Sequence, residues 1–335
     1  MSSKIKNQQV YGSSNYRRAA PAFHESHRTH MLIVALDYTR TGRPLSCSHA
    51  AKAVEEMSRQ CGVQWLKTVY GDDCTREAVL AAVSEMTARC GPNDVFVLYF
   101  AGHGASPSGD ASRSGESLVL VDRYSQVSSS TLLPGDELAS AVIEGTHPET
   151  RVIFLMDTCH SEVLVDLRRG AWDGREAIVI TGTQDPFAKD EDRGSIFTHA
   201  MLLAIDKLSK VGRDNYSVGM LFNALLLEDE LVFGSAQDVT IQTAPRLPTD
   251  AMAWPLVPPS GSGYRAPLSR CAGRAAVTEG FGIARALSAY VRTEALDVPV
   301  SVEEYISHVQ GQSLFNVKLH RACNAGCSTG GCALQ

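Results

Sequence analysis

The feature that most constrains the fold is a set of short runs that stay apolar at consecutive positions. They occur in "MLIVALDY", "DVFVLYF", "RVIFLM" and "AIVITG". A strand with one wet face alternates, so strands apolar on both faces need cover on both sides. Segments of helical period lie between them. "SHAAKAVEEMSRQCG" sets Ala51, Val54, Met57 and Cys61 near one face and stops at Gly62. "TREAVLAAVSEMTARCG" is rich in helix formers and ends at Gly91-Pro92. "GDELASAVIEG", the stretch 197–209 and "YSVGMLFNALLLEDELV" follow the same period, while "QWLKTVY" alternates and "SLVLVD" reads as a further strand. The pattern predicts an α/β fold, a three-layer α/β/α sandwich with a mainly parallel central sheet.

A chain of 335 residues suits one large domain or a domain with an extension, and its core needs no disulfides. The net charge of −6 argues against a nucleic-acid partner. No run of about 18 apolar residues predicts a membrane span, and the polar, basic start "MSSKIKNQQVYGSSNYRRAAPAF" lacks the apolar core of a signal peptide, so cytosol is expected. Nine cysteines, Cys47, Cys61, Cys74, Cys90, Cys159, Cys271, Cys323, Cys327 and Cys332, then stay mostly reduced. Cys61, Cys74 and Cys90 read as small core residues. We divide the chain into an arm (1–29), a domain (30–258), and a linker "PPSGSGYRAP" with short helices and a Cys-rich tail (259–335). No internal repeat is found.

Two of the apolar runs end on reactive side chains. "VFVLYFAGHG" leads to His103 and "VIFLMDTCHSE" to Cys159. Open sheets bind ligands beyond the carboxyl ends of their strands, so both groups are expected at one edge. An imidazole can take the proton of a thiol and later protonate a leaving amine. Gly102 and Gly104 allow close backbone approach, and the Gly104 and Cys159 amides are candidates for an oxyanion hole. Either residue alone would read as a hydrogen-bonded loop histidine or a core cysteine. The pair points to acyl transfer.

These motifs resemble those of the caspase-like cysteine peptidases, and within them the metacaspases, which show "SGHG" and "DSCHSG". The resemblance extends through "LSCSHAAKAVEEM", "AIVITGTQDPFAKDEDRGSIFTHAM" and "TIQTAPRLPTDAMAWPLVP", covering roughly residues 30–258. It implies a caspase-like fold, divided near residues 170–175 into parts like a large and a small subunit. It also implies an endopeptidase cutting proteins after Arg or Lys, with His103 and Cys159 as the dyad. His160, beside the nucleophile, does not match the family's base. Asp157 matches the acid of the pocket for the basic side chain, and Cys47 and Ala101 match two further pocket positions. Ala101 replaces the family's serine, and Ala50 stands where a second pocket aspartate would be. Arg43 raises acidic specificity as an alternative, which Asp157 opposes.

The resemblance also implies calcium held by aspartates. Asp136 and Asp166 match two ligand positions. Gly115 and Gly135 fall where two others would be, which leaves Glu116 and Glu137 as substitutes, or else ordinary solvated acids. It further implies a zymogen that cuts itself. Arg168 and Arg169, with Arg175, are candidate cleavage points in "VDLRRGAWDGREA", and Lys6, Arg17 and Arg18 are others in the arm.

The tail "CALQ" fits farnesylation of Cys332, with Cys323 and Cys327 as second anchors. That would put a soluble monomer on a membrane surface. An unmodified tail and a zinc site of His320, Cys323, Cys327 and Cys332 are the alternatives, and Met1-Ser2 excludes myristoylation. A non-catalytic caspase-fold scaffold is the competing function. Phosphatase chemistry needs an arginine where Val165 stands and is set aside.

Overall fold

The computed structural model describes residues 27–105, 116–158, 164–182, 195–210, 215–229 and 239–266. In chain order the elements are β1 (Thr29–Ala35), α1 (Cys47–Gln60), β2 (Trp65–Tyr70), α2 (Arg76–Thr87), β3 (Val95–Ala101), β4 (Gly104–Ala105), β5 (Ser117–Val119), β6 (Leu132–Pro134), α3 (Gly135–Gly145), β7 (Arg151–Asp157), β8 (Ala177–Gly182), α4 (Ile196–Lys210), α5 (Val218–Glu228) and β9 (Val239–Thr243). The central sheet has the order β2-β1-β3-β7-β8-β9. Its first five strands are parallel, and β9 runs antiparallel to β8.

Strand order reverses at β1. The crossover to β2 goes one way, and the crossover to β3 returns past β1. Right-handed crossovers in opposite directions put their helices on opposite faces. So α1 covers one face, later joined by α4 and α5, while α2 and α3 cover the other. Met31, Ile33 and Ala35 enter the core under α1, and Leu32 and Val34 enter the other. In β3, Val97, Tyr99 and Ala101 face the α1 side, while Phe96, Leu98 and Phe100 face α2. Every β3 residue is buried, which is why the run does not alternate. Thr75 and Ser217 start α2 and α5 by accepting hydrogen bonds from the Ala78 and Met220 amides.

"SLVLVD" departs from the expectation. Its residues Ser117–Val119 form β5 of a separate antiparallel sheet, β4-β5-β6. β4 has two residues and β6 three, too few for periodicity to announce. The packed chain also runs past residue 258: Tyr264 and Ala266 are buried in the core of α4 and α5. Cys74 and Cys90 are buried, and burial pushes the thiols of Cys61, Cys74 and Cys90 up to about 12. They are inert core groups. No helix among the described residues is long and apolar enough to cross a membrane.

At the amino edge of the sheet, Asp94 ties β1 to β3. It accepts hydrogen bonds from the Gly91 amide (2.9 Å), the Arg28 amide (3.0 Å) and the His30 ring (3.0 Å). Burial raises its pKa, but these donors together hold it below the ordinary carboxylate value. We predict that Asp94→Ala lowers unfolding free energy by about 2–3 kcal/mol, measured by denaturant unfolding at pH 7. A depressed folded pKa means that the stabilisation is complete above the unfolded value of about 3.9 and fades as pH falls through the folded one. The wild-type advantage should therefore shrink in acid. Equal stability at pH 7 would exclude this role.

Candidate active site

The reversal of strand order lies between β1 and β3, where open α/β sheets form ligand crevices. The loop after β1 carries Tyr38 and Arg43, and the turn after β3 carries His103. β7 is the other neighbour of β3, in parallel register with Ala101 opposite Asp157. His103 and Cys159 thus each follow by two residues the same rung of the sheet. Cys159 and His160 lie outside the described residues; Thr158, just before them, is buried.

The His103 Nε2 atom lies 2.8 Å from the Arg43 carbonyl oxygen. A carbonyl only accepts, so Nε2 carries the proton and Nδ1 is left as the basic nitrogen. The ring leans on Tyr38, with centroids 4.5 Å apart and planes tilted by 41°. Burial, the largest influence, lowers the His103 pKa, and the Arg43 charge adds to this against the raising effect of the carbonyl contact. The imidazole is therefore neutral at pH 7. Arg43 itself is exposed and serves His103 through its backbone.

Tyr38 also places the His103 backbone. β4 and β5 pair antiparallel with Gly104 opposite Leu118, so His103 falls opposite Val119. The Val119 amide donates to the His103 carbonyl at 3.0 Å. The reciprocal bond is replaced by a bridge: the His103 amide donates to the Tyr38 hydroxyl at 2.8 Å, and that hydroxyl donates to the Val119 carbonyl at 2.6 Å. Paired positions alternate along such a ladder, so Gly104 sits at a non-hydrogen-bonded rung and its N–H points away from β5. A side chain at Gly102 would meet the Tyr38 hydroxyl at 2.6 Å. The first glycine of "GHG" thus makes room for this bridge. Tyr38 holds φ of 51°, a costly conformation for a bulky residue.

Asp157, Ala101 and Cys47 are brought together on the α1 side of the sheet's carboxyl edge, all buried. The Thr198 hydroxyl, from α4, donates to Asp157 Oδ2 at 2.6 Å. That commits the Thr198 proton, so the Tyr99 hydroxyl, 2.7 Å away, donates to Thr198 in turn. Burial, reinforced by the Asp157 charge, raises the Tyr99 phenol well above its ordinary value. Tyr99 and Thr198 thus form a neutral donor relay ending on the carboxylate. Sequence reasoning missed both, along with Tyr38. Tyr99 was within reach, because it precedes Ala101 by one strand period. Ala50 is fully buried in α1.

Asp136 and Asp166 also converge, but on a guanidinium. Arg169 pairs with Asp136 and lies 3.7 Å from Asp166 Oδ2. Arg168 Nε lies 3.1 Å from Asp166 Oδ1. Glu137 is engaged by Arg76 at 2.5 Å through both oxygens. A side chain at Gly135 would stand 1.5 Å from the Leu164 carbonyl oxygen, so no aspartate fits there. Among the described residues no group of three or more His, Cys, Asp or Glu could hold a metal. Calcium takes six to eight oxygens, and this set does not fit it. Arg175 donates to the Ile143 carbonyl and Thr146 hydroxyl at the end of α3. Gly115, Lys6, Arg17, Arg18, His320, Cys323, Cys327 and Cys332 lie outside the described residues.

The fold resembles the crystal structure of protein GSU0716 from Geobacter sulfurreducens, with a TM-score of 0.52. That likeness covers 69% of this chain and 98% of the other at 19% identity, and it speaks for the fold alone. No curated protein shows significant sequence similarity to the chain. The caspase domain model, however, matches residues 28–227. This span runs from β1 nearly to the end of α5 and takes in His103, Asp157 and Thr198. The chain belongs to the caspase-domain family of peptidases.

Proposed function

We propose that the protein is a cysteine endopeptidase that cuts after Arg or Lys, as metacaspases do, through His103 and Cys159. The observation that carries this reading is the 2.8 Å contact of His103 Nε2 with the Arg43 carbonyl, which leaves Nδ1 as the basic nitrogen. Nδ1 takes the proton of the Cys159 thiol, and the sulfur attacks the substrate carbonyl carbon. The oxyanion formed is met by the Gly104 and Cys159 amides. The imidazolium then gives its proton to the leaving amine as the C–N bond breaks, leaving a thioester. Water, deprotonated by the same nitrogen, hydrolyses it and restores the thiol.

Asp157 supplies the charge for a basic side chain. The Thr198 hydroxyl, backed by Tyr99, donates to one of its oxygens, and a basic side chain would bring this carboxylate an opposite charge that a neutral one lacks. Ala101 and Cys47 would line this pocket with small side chains. We expect the products to be peptides and the substrates proteins. Self-processing, a cytosolic or membrane-surface location and a lipid on Cys332 belong to the same reading as expectations.

Cys159→Ser and His103→Ala should each lower kcat/KM for an Arg peptide by at least about 10³-fold, with circular dichroism unchanged. A peptidyl-arginine chloromethylketone should label the wild type and not Cys159→Ser. Turnover retained in either variant, or labelling at another residue, would remove the dyad; a wild type that neither turns over the peptide nor takes the label would favour a scaffold. Because burial lowers the His103 pKa and the neutral ring is the base, activity should survive acid better than an ordinary histidine allows. The acid limb of kcat/KM should have its midpoint below about pH 6.5; a midpoint above pH 7 would contradict the assignment.

Specificity gives a separate test. Asp157→Ala should abolish the preference for Arg over a neutral isostere such as citrulline. Thr198→Val should weaken the preference about tenfold, mainly through KM, since one hydrogen bond to a charged group is lost. An unchanged Arg-to-citrulline ratio in Asp157→Ala would exclude Asp157 from the pocket.

A further inference from the structure

The acids that the family resemblance assigns to calcium are joined by a residue of the chain itself. Arg169 lies between Asp136, in the first turn of α3, and Asp166, which follows the nucleophile segment. Asp166 is pinned further by the Arg168 amide and side chain, each at 3.1 Å. Beside this charge cluster the two segments meet directly, since the Leu164 backbone fills the space where a Gly135 side chain would be. Leu164, Val165, Leu167 and Trp172 are buried, and the Leu167 amide donates to Gln242 Oε1 of β9 at 2.7 Å. Residues 164–172 are therefore a packed brace, anchored on α3 on one side and on β9 on the other.

We infer that Arg169 is a built-in cation standing in for calcium. It fastens the chain on the carboxyl side of Cys159 to α3, so the peptidase works without the metal. A guanidinium can bridge two carboxylates with no dependence on a free ion. The same engagement makes Arg169 a poor point of self-cleavage, because a scissile arginine must leave its partners and enter the pocket. The inference rests on the peptidase reading only for its effect on activity; the brace itself can be tested without turnover.

The decisive experiment uses the full chain carrying Cys159→Ala, which cannot cut itself, and measures melting temperature and calorimetric calcium binding. Wild-type residue 169 should give no binding heat and the same Tm in chelator and in millimolar calcium. Arg169→Gln should lower Tm by about 2–4 °C, and Arg169→Lys should recover part of it. Arg169→Asp gathers three carboxylates and should gain a calcium-dependent rise in Tm. With Cys159 restored, activity should be equal in chelator and calcium. Calcium binding or a calcium-dependent Tm with Arg169 in place would overturn the inference, as would an Arg169→Gln variant as stable as its parent. An inactive protein that passes the thermal tests would refute the peptidase reading and leave the brace standing.

Discussion

The parallel pairing of β3 with β7 is the constraint on which the site depends. Its register sets Ala101 against Asp157, and His103, Cys159, Tyr99 and Asp157 all lie within two residues of that rung in sequence. One strand period back, Tyr99 begins the relay to Thr198 and Asp157. Two residues on, one chain turns into His103 and the other into Cys159. A slip of one residue would turn Asp157 to the α2 face and carry the two ends out of step. Burial of all of β3 and of β7 from Val152 onward makes such a slip costly, because Phe100 and Met156 would have to exchange cores with Tyr99 and Leu155.

Backbone groups do much of the positioning. The Arg43 carbonyl fixes the His103 tautomer, and the Tyr38 hydroxyl replaces one rung of a two-residue strand. A short strand such as β4 has little pairing energy of its own, and the inserted hydroxyl links it to the loop after β1. Loop, turn and strand end thus form one hydrogen-bonded unit around the imidazole. The strained φ of Tyr38 is tolerated because both of its hydroxyl bonds demand that position.

The sequence made the central sheet legible because burial on both faces writes long apolar runs, as in "VFVLYF". It made the reactive ends legible because His103 and Cys159 interrupt such runs. It hid β4 and β6, which are shorter than any period. It also hid Thr198, whose role comes from α4 crossing the end of β7, a contact between residues 41 apart. The Arg43 carbonyl has no sequence signature at all. Arg168 and Arg169 read as a basic loop because composition alone does not reveal that Asp136, on another element, reaches one of them.

In the proposed peptidase, Nδ1 of His103 is the nitrogen that faces the nucleophile. A crystal structure of the peptidyl-arginine chloromethylketone adduct tests this most directly. It should put the modified Cys159 sulfur within about 4 Å of Nδ1, with Nε2 still on the Arg43 carbonyl and the arginine side chain against Asp157. A sulfur facing Nε2, or on the far rim of the sheet from the ring, would contradict it.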